Sequence, residues 1–185
     1  MAKTKTQFDR ERFNRRMVLS AYDGVGTLVT ALIVLSLLLS YAFRVVGVDG
    51  RSMMPTFSDG DKLLLSTYDS SYQRGDVIVV DRYTTSPLIK RVIAVGGDTI
   101  SIAPDGTVKV NGEVLQETYI QGTTKLNDFS GEATVPKGYL FVMGDNRSSS
   151  KDSRSAEVGF VSVKDVVGKA IFRVWPLNEF GSIDG

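Results

Sequence analysis

Leu88-Ile89-Lys90-Arg91-Val92-Ile93-Ala94-Val95-Gly96-Gly97-Asp98-Thr99-Ile100-Ser101-Ile102 decides the fold. A run of aliphatic and β-branched side chains closes on Gly-Gly-Asp, and a second run with alternating polarity follows at once. That is the pattern of strand, tight turn and strand. It holds two adjacent cations, Lys90 and Arg91. Side chains alternate across a strand, so Lys90 is expected to share a face with Val92 and Ala94, and Arg91 with Ile89 and Ile93. One of the two must therefore face the core or a covered cleft, unless the strand lies at a sheet edge, where a solubilising lysine is common.

The same texture continues on both sides. Downstream, Pro104-Asp105-Gly106 separates Thr99–Ile102 from Val108-Lys109-Val110, and Asn111-Gly112 leads into Glu113-Val114-Leu115. Asn-Gly between alternating segments signals a two-residue hairpin, because both residues accept positive φ. Residues 121–134 are polar and rich in Gly, Thr and Asp, which reads as a surface loop. Tyr139–Met143 and Ala170–Trp175 read as strands, with a helical turn over Ser162–Val167. Upstream, Lys62–Tyr68 is a strand entered through Ser58-Asp59-Gly60-Asp61, and Val77–Tyr83 is a buried strand behind Arg74-Gly75-Asp76. Many short strands with closely spaced turns predict a mainly β domain, an antiparallel barrel or sandwich.

The N-terminal part differs. Residues 1–24 form a polar tail carrying Lys3, Lys5, Arg10, Arg12, Arg15 and Arg16, and residues 25–43 are apolar without a charge. As a helix that run spans about 28 Å, close to the ~30 Å hydrocarbon core of a bilayer. A buried core helix and a cleavable signal peptide ending at Ser40-Tyr41-Ala42 are the competing readings. Five chargeless turns argue against the first, and a run longer than an ordinary signal-peptide core of ~7–15 residues against the second. The expectation is a retained, single-pass membrane anchor. The basic tail would be cytoplasmic and residues 44–185 extracytoplasmic, with a small hairpin and loop insertion at about 100–135. Of the 185 residues none is Cys or His, and the net charge is +1. Thiol catalysis, disulfides, a Ser-His-Asp triad and the common zinc sites are excluded, so acid–base chemistry falls to Lys, Asp, Glu or Tyr.

Gly50-Arg51-Ser52-Met53-Met54-Pro55-Thr56 lies a few residues past the apolar run and reads as a sharply turned loop with an exposed hydroxyl. A serine nucleophile in a chain without histidine needs a lysine base. To act near neutral pH that lysine must titrate roughly 2–3 pH units below the usual ~10.4, which apolar neighbours promote by disfavouring the charged form. Lys90 is the candidate. The third stretch, Gly144-Asp145-Asn146-Arg147-Ser148-Ser149-Ser150-Lys151-Asp152-Ser153-Arg154, is dense in short hydrogen-bonding side chains that suit either a solvated loop or the orientation of an amine.

Together with Gly75-Asp76-Val77-Ile78-Val79, these blocks resemble the bacterial type I signal peptidases, membrane-anchored serine endopeptidases that share a catalytic fold with self-cleaving repressors. The likeness covers nearly the whole chain. It implies Ser52 as nucleophile, Lys90 as general base, and Ser150 as the hydroxyl that holds the lysine amine. It further implies Asp152 and Arg154 as a bracing pair, Asp145 and Arg91 around them, and the Ser52 backbone N–H as an oxyanion donor. Gly50 departs from members that carry a hydroxyl there as second donor, so a backbone group or water must substitute. A lysine rather than a histidine at position 90 points to the bacterial type, and the short stretch over 100–135 to its compact members.

The resemblance implies cleavage of signal peptides after small residues, at Ala-x-Ala type sites, through an acyl-enzyme. The expected partners are preprotein signal peptides, the lipid bilayer and a nearby secretion translocon; no cofactor, metal or nucleic acid is implied. At ~3.3–3.6 Å per residue, Ser52 would lie within about 30 Å of the outer membrane face. Substrate would dock as an extended strand, walled by Val77, Ile78 and Val79 and by the segment around Met53 and Pro55. Met53 and Met54 could equally meet substrate or lipid. A specialised peptidase for a few substrates such as surface-fibre precursors, and a non-catalytic membrane-tethered β adaptor, are the alternatives. A self-cleaving repressor would need a DNA-binding N-terminus where the apolar run stands.

Overall fold

The computed structural model describes residues 5–68, 71–81 and 86–183, with residues 5–14 and 16 described by backbone alone. Lys3 of the basic tail and Arg82 and Tyr83 of the expected strand lie outside the described residues. The chain divides into two compact units, Met1–Tyr41 and Ala42–Gly185.

The first unit is helical: α1 runs Lys5–Ala42 through both the basic stretch and the apolar run. It stops one residue short of the expected end, for Phe43 already belongs to the first strand. Met17–Ala42 is long and apolar enough to cross a membrane, and none of it is buried against protein. Three of its hydroxyls are satisfied within the helix. Thr27, Thr30 and Ser40 donate to the carbonyls of Asp23, Gly26 and Ser36 at 2.8, 2.9 and 2.7 Å. Such back-bonding satisfies a hydroxyl without water, as a span in hydrocarbon requires.

The second unit is mainly antiparallel β, as its alternating runs predict. Its strands are β1 (Phe43–Gly47), β2 (Lys62–Ser66), β3 (Val77–Val80), β4 (Leu88–Val95), β5 (Thr99–Ile102), β6 (Val108–Val110), β7 (Glu113–Val114), β8 (Glu132–Thr134), β9 (Tyr139–Met143), β10 (Val161–Ser162), β11 (Val166–Trp175) and β12 (Gly181–Ser182). The main sheet runs β1-β2-β11-β3-β4-β9-β10, with β12 on β11, and the smaller sheet β7-β6-β5-β8. Asn111 and Gly112, at φ 54° and 84°, form the β6–β7 turn that their sequence announces. The helical turn expected over Ser162–Val167 is a single 3-10 turn, Val163–Asp165, and β11 starts directly after it.

Bulges bend the main sheet into a curl. The pairing of β11 shifts against β2 between Ala170 and Phe172 and again between Arg173 and Trp175. Each extra residue tightens the local twist. Gly168 lets β11 approach β2, because a Cβ there would lie 2.7 Å from the Ser66 carbonyl oxygen. A further shift in β4, between Val92 and Ala94, breaks the simple alternation expected for that strand. Ala94 consequently joins Ile93 in the cluster facing the smaller sheet, while Val92 packs with Ile78, Leu140 and Val142.

The core is layered on both sides of β3. Val77 and Val79 pack with Met53, Phe57, Leu63 and Leu65, and Ile78 and Val80 with Val92 and Val142. Deleting three methyl-sized groups from a fully covered side chain leaves a cavity that the sheet cannot close. Ile78→Ala is therefore expected to cost about 2–5 kcal/mol. Urea unfolding of the detergent-solubilised chain measures it, and a loss below 1 kcal/mol would contradict this view of the core.

Candidate active site

Three segments converge: the loop between β1 and β2, strand β4, and the loop after β9. The first carries Ser52. Its anchors are Met53 and Phe57, each 1% exposed in the core. Gly50 turns the chain at φ 87°, and its N–H donates to Asp59 Oδ1 at 2.9 Å. Thr56 Oγ1 donates to Asp145 Oδ2 at 2.5 Å, and Arg173 Nη2 donates to the Thr56 carbonyl at 2.8 Å.

Strand β4 is central, paired with β3 and β9, so the edge-strand reading of its lysine fails. Lys90 and Arg91 are each only 2% exposed. Lys90 Nζ donates to Ser52 Oγ and to the Ile89 carbonyl, both at 2.8 Å. Burial pushes the Lys90 ammonium down to about 8, against the opposing pull of the Asp152 and Asp145 charges. An amine in this state loses its proton close to neutral pH while touching a hydroxyl.

The loop after β9 supplies the paired carboxylates. Arg91 grips Asp145 with two bonds, Nε to Oδ1 at 2.9 Å and Nη2 to Oδ2 at 2.8 Å. Its third branch donates to the Gly75 carbonyl, and its plane lies 4.1 Å over the Tyr119 ring. Arg154 grips Asp152 in the same fashion, with both bonds at 2.8 Å. Desolvation would raise the Asp152 carboxyl, but the Arg154 bonds and charge, the Gly144 N–H and the Ser150 hydroxyl together hold it below the usual carboxylate range.

The structure brings together Ser52, Lys90, Asp145, Arg91, Asp152, Arg154 and, beside Gly144, Ser150, and it sets two other expectations apart from the site. Ser150 Oγ is buried next to Gly144 and Asp152, while the lysine amine donates to Ser52 Oγ and the Ile89 carbonyl. Val77, Ile78 and Val79 are core residues rather than a cleft wall, because β3 is a central strand covered on both faces. Pro55 is exposed and takes no part in the cleft. That cleft, of about 240 Å³, is lined by Val46, Gly47, Val48, Asp49, Ser52, Met53, Ser86, Pro87, Leu88, Ile89 and Lys90. Met53 thus faces it, and the opposite wall is the approach to β4.

Sequence reasoning missed several contributors. Gly144 has no space for a side chain: a Cβ would lie 2.4 Å from the Ser52 carbonyl oxygen and 2.3 Å from Ser150 Oγ. Its place inside a Gly-Asp-Asn turn hides that role. The stretch read as a surface loop also packs against the site. Thr124 is buried, and Gln121 N–H donates to the Asp145 carbonyl at 2.8 Å. The buried Arg147 holds Glu117, donates to Thr124 Oγ1 at 2.9 Å and to the Gly144 carbonyl at 3.1 Å. Composition alone carries no signal for these partners, which are distant in sequence.

The family model described as signal peptidase, peptidase S26, matches residues 22–175. Signal peptidase I of Bacillus caldolyticus is 36% identical over 165 residues, which cover 81% of this chain and 89% of that protein. Signal peptidase I of Bacillus licheniformis is 33% identical over 178 residues, covering 89% and 94%. A solved signal peptidase I from Enterococcus faecalis V583 is 30% identical, with a TM-score of 0.45 over 54% of this chain and 96% of that one.

The buried amine has a measurable cost. Its pKa is lowered to about 8 in the folded chain, so between there and the ordinary value of 10.5 the unfolded chain binds the extra proton. Wild-type stability should accordingly rise with pH through that window. Lys90→Met removes the buried charge and is expected to stabilise the chain at pH 7 by about 3 kcal/mol, with the difference vanishing above pH ~10.5. Chemical denaturation at several pH values reads this, and a destabilised Lys90→Met at pH 7 would contradict it.

Proposed function

The chain belongs to the signal peptidase S26 family, and on that premise we propose that it is a membrane-anchored endopeptidase removing N-terminal signal peptides from exported preproteins, with Ser52 as nucleophile and Lys90 as general base. The observation that carries the assignment is the 2.8 Å contact between Lys90 Nζ and Ser52 Oγ, made by an amine that burial has moved to about 8. A tethered β adaptor without catalysis would have no reason to hold a lysine in so costly a position.

The neutral amine takes the Ser52 proton as Oγ attacks the scissile carbonyl. The resulting ammonium gives that proton to the departing amine as the peptide C–N bond breaks, leaving an acyl-enzyme. A water then surrenders a proton to Lys90 and attacks the ester, and Lys90 passes that proton to the departing Ser52 Oγ as the ester C–O bond breaks, freeing the signal peptide. The Ile89 carbonyl holds the amine in place through both halves of the cycle. The cleft beside Ser52, about 240 Å³ with apolar walls from Val46, Val48, Met53, Pro87 and Ile89, supports a preference for small side chains before the cut.

The location fits the substrate. Signal peptides reach their cleavage sites at a membrane surface, and Met17–Ala42 is suited to anchor the enzyme there. The basic residues ahead of that span support a cytoplasmic N-terminus, with the β unit on the far side and near the secretion translocon.

Ser52→Ala and Lys90→Ala are each expected to lower the cleavage of a model preprotein by about 10³-fold or more, with the fold intact by circular dichroism. The sign of the pH effect follows from the lysine: kcat/KM should climb about tenfold per pH unit below an apparent pKa of about 8 and level off above it. A flat profile from pH 6 to 9, or near-normal turnover by Lys90→Ala, would remove Lys90 from the role of base.

A further inference from the structure

We infer that Asn146 is a positioning residue for the oxyanion hole, fixing the Ser52 N–H by gripping the carbonyl of the same peptide. The inference rests on Ser52 being the nucleophile, as proposed above, and adds how the developing negative charge is stabilised in a chain with Gly50 where a second hydroxyl donor could have stood.

Asn146 holds both peptide planes that flank the nucleophile. Its backbone N–H donates to the Ser52 carbonyl at 3.0 Å, and its side-chain Nδ2 donates to the Arg51 carbonyl at 3.1 Å. A carbonyl can only accept, so the amide of Asn146 must present its NH₂ end to Arg51. The Arg51 carbonyl and the Ser52 N–H belong to one peptide group. That group is trans, since the cis bonds among the described residues are Met54-Pro55 and Trp175-Pro176. In a planar trans peptide the N–H and C=O point in opposite directions. Holding the carbonyl towards Asn146 therefore aims the N–H of Ser52 away from it, and that N–H makes no hydrogen bond among the described residues. It is an aimed, unspent donor at the nucleophile.

Two further observations favour this role. One neighbouring backbone donor, the Gly50 N–H, is spent on Asp59 Oδ1 and so is not available to the oxyanion. Asn146 itself is well braced. Gln121 pairs with it in a parallel bridge, with Gln121 N–H on the Asp145 carbonyl and Arg147 N–H on the Gln121 carbonyl, each at 2.8 Å. The Met54 N–H also donates to the Arg51 carbonyl, at a longer 3.2 Å, closing the local turn. Asn146 adds the hold that comes from outside the loop.

The test compares wild type with Asn146→Ala and Asn146→Asp in the full detergent-solubilised chain. It measures kcat and KM on a preprotein and the inhibition constant of an Ala-x-Ala peptide aldehyde, whose hemiacetal oxygen mimics the oxyanion. Losing an oxyanion donor outright costs about 10²–10³ in rate, so loosening one is expected to lower kcat about tenfold in Asn146→Ala. KM and the melting temperature should hardly move, aldehyde affinity should weaken by the same factor as kcat, and Asn146→Asp, which sets a second acceptor against the Arg51 carbonyl, should lose more. Unchanged aldehyde affinity, a loss confined to KM, or a kcat near wild type would overturn the inference. Ser52→Ala, run in parallel, separates the two ideas. If it is inactive while Asn146→Ala is normal, only the positioning role falls; if it still turns over, both fall.

Discussion

A lysine amine withdrawn from water is the constraint on which the rest of this structure depends. Burial alone would depress the amine, whereas two carboxylates nearby, Asp145 and Asp152, pull it back towards charge. The balance favours burial because each carboxylate is already matched by an arginine in a two-bond grip, Arg91 on Asp145 and Arg154 on Asp152. The paired ions act as rigid struts with little net charge to offer the lysine. A central strand is needed as well, since on an edge the same side chain would reach solvent. Fold position and electrostatics thus solve one problem together.

The Ser52 loop meets a second requirement, that a turn without regular secondary structure be held firmly in place. Its own apolar residues, Met53 and Phe57, pin it from below. Beyond the local turn bonds, its restraints come from far along the chain. Asp145 takes the Thr56 hydroxyl, Arg173 the Thr56 carbonyl, and Asn146 the carbonyls of Arg51 and Ser52. Gly144 permits the close approach by having nothing to place in the gap. The Gly-Asp-Asn turn is therefore less a surface loop than the mould against which the serine loop sets.

How much of this could be read from the residues depends on the range of the force involved. The Asn111-Gly112 turn and the strand Leu88–Val95 were legible because local backbone preference and alternation decide them. Lys90 stood out as the candidate amine by chemistry, because the chain has no histidine to compete. Phe43 misled, since an aromatic at the end of an apolar run looks the same whether it ends a helix or opens a strand. Val77–Val79 misled because a buried strand carries no mark of which layer covers it. Ser150 stands beside the right carboxylate, but the amine finds its acceptor in the Ile89 backbone, a group present at every position and so invisible in sequence. The bulge after Val92 and the embrace of residues 117–124 around Arg147 depend on tertiary pairing alone.

The strand order has a consequence in time. Strand β11, drawn from residues 166–175, lies between β2 and β3, which are formed by residues 62–66 and 77–80. The two halves of the main sheet meet only through a segment synthesised some ninety residues after β3. As the chain emerges in order, β2 and β3 have no hydrogen-bonding partner across the gap, and the core that seats Met53 and Phe57 stays open until β11 arrives. The lysine cannot be dried, nor the serine loop clamped by Arg173, before then. A chain without β11 therefore leaves the Lys90 amine in water and the serine loop without the Arg173 clamp.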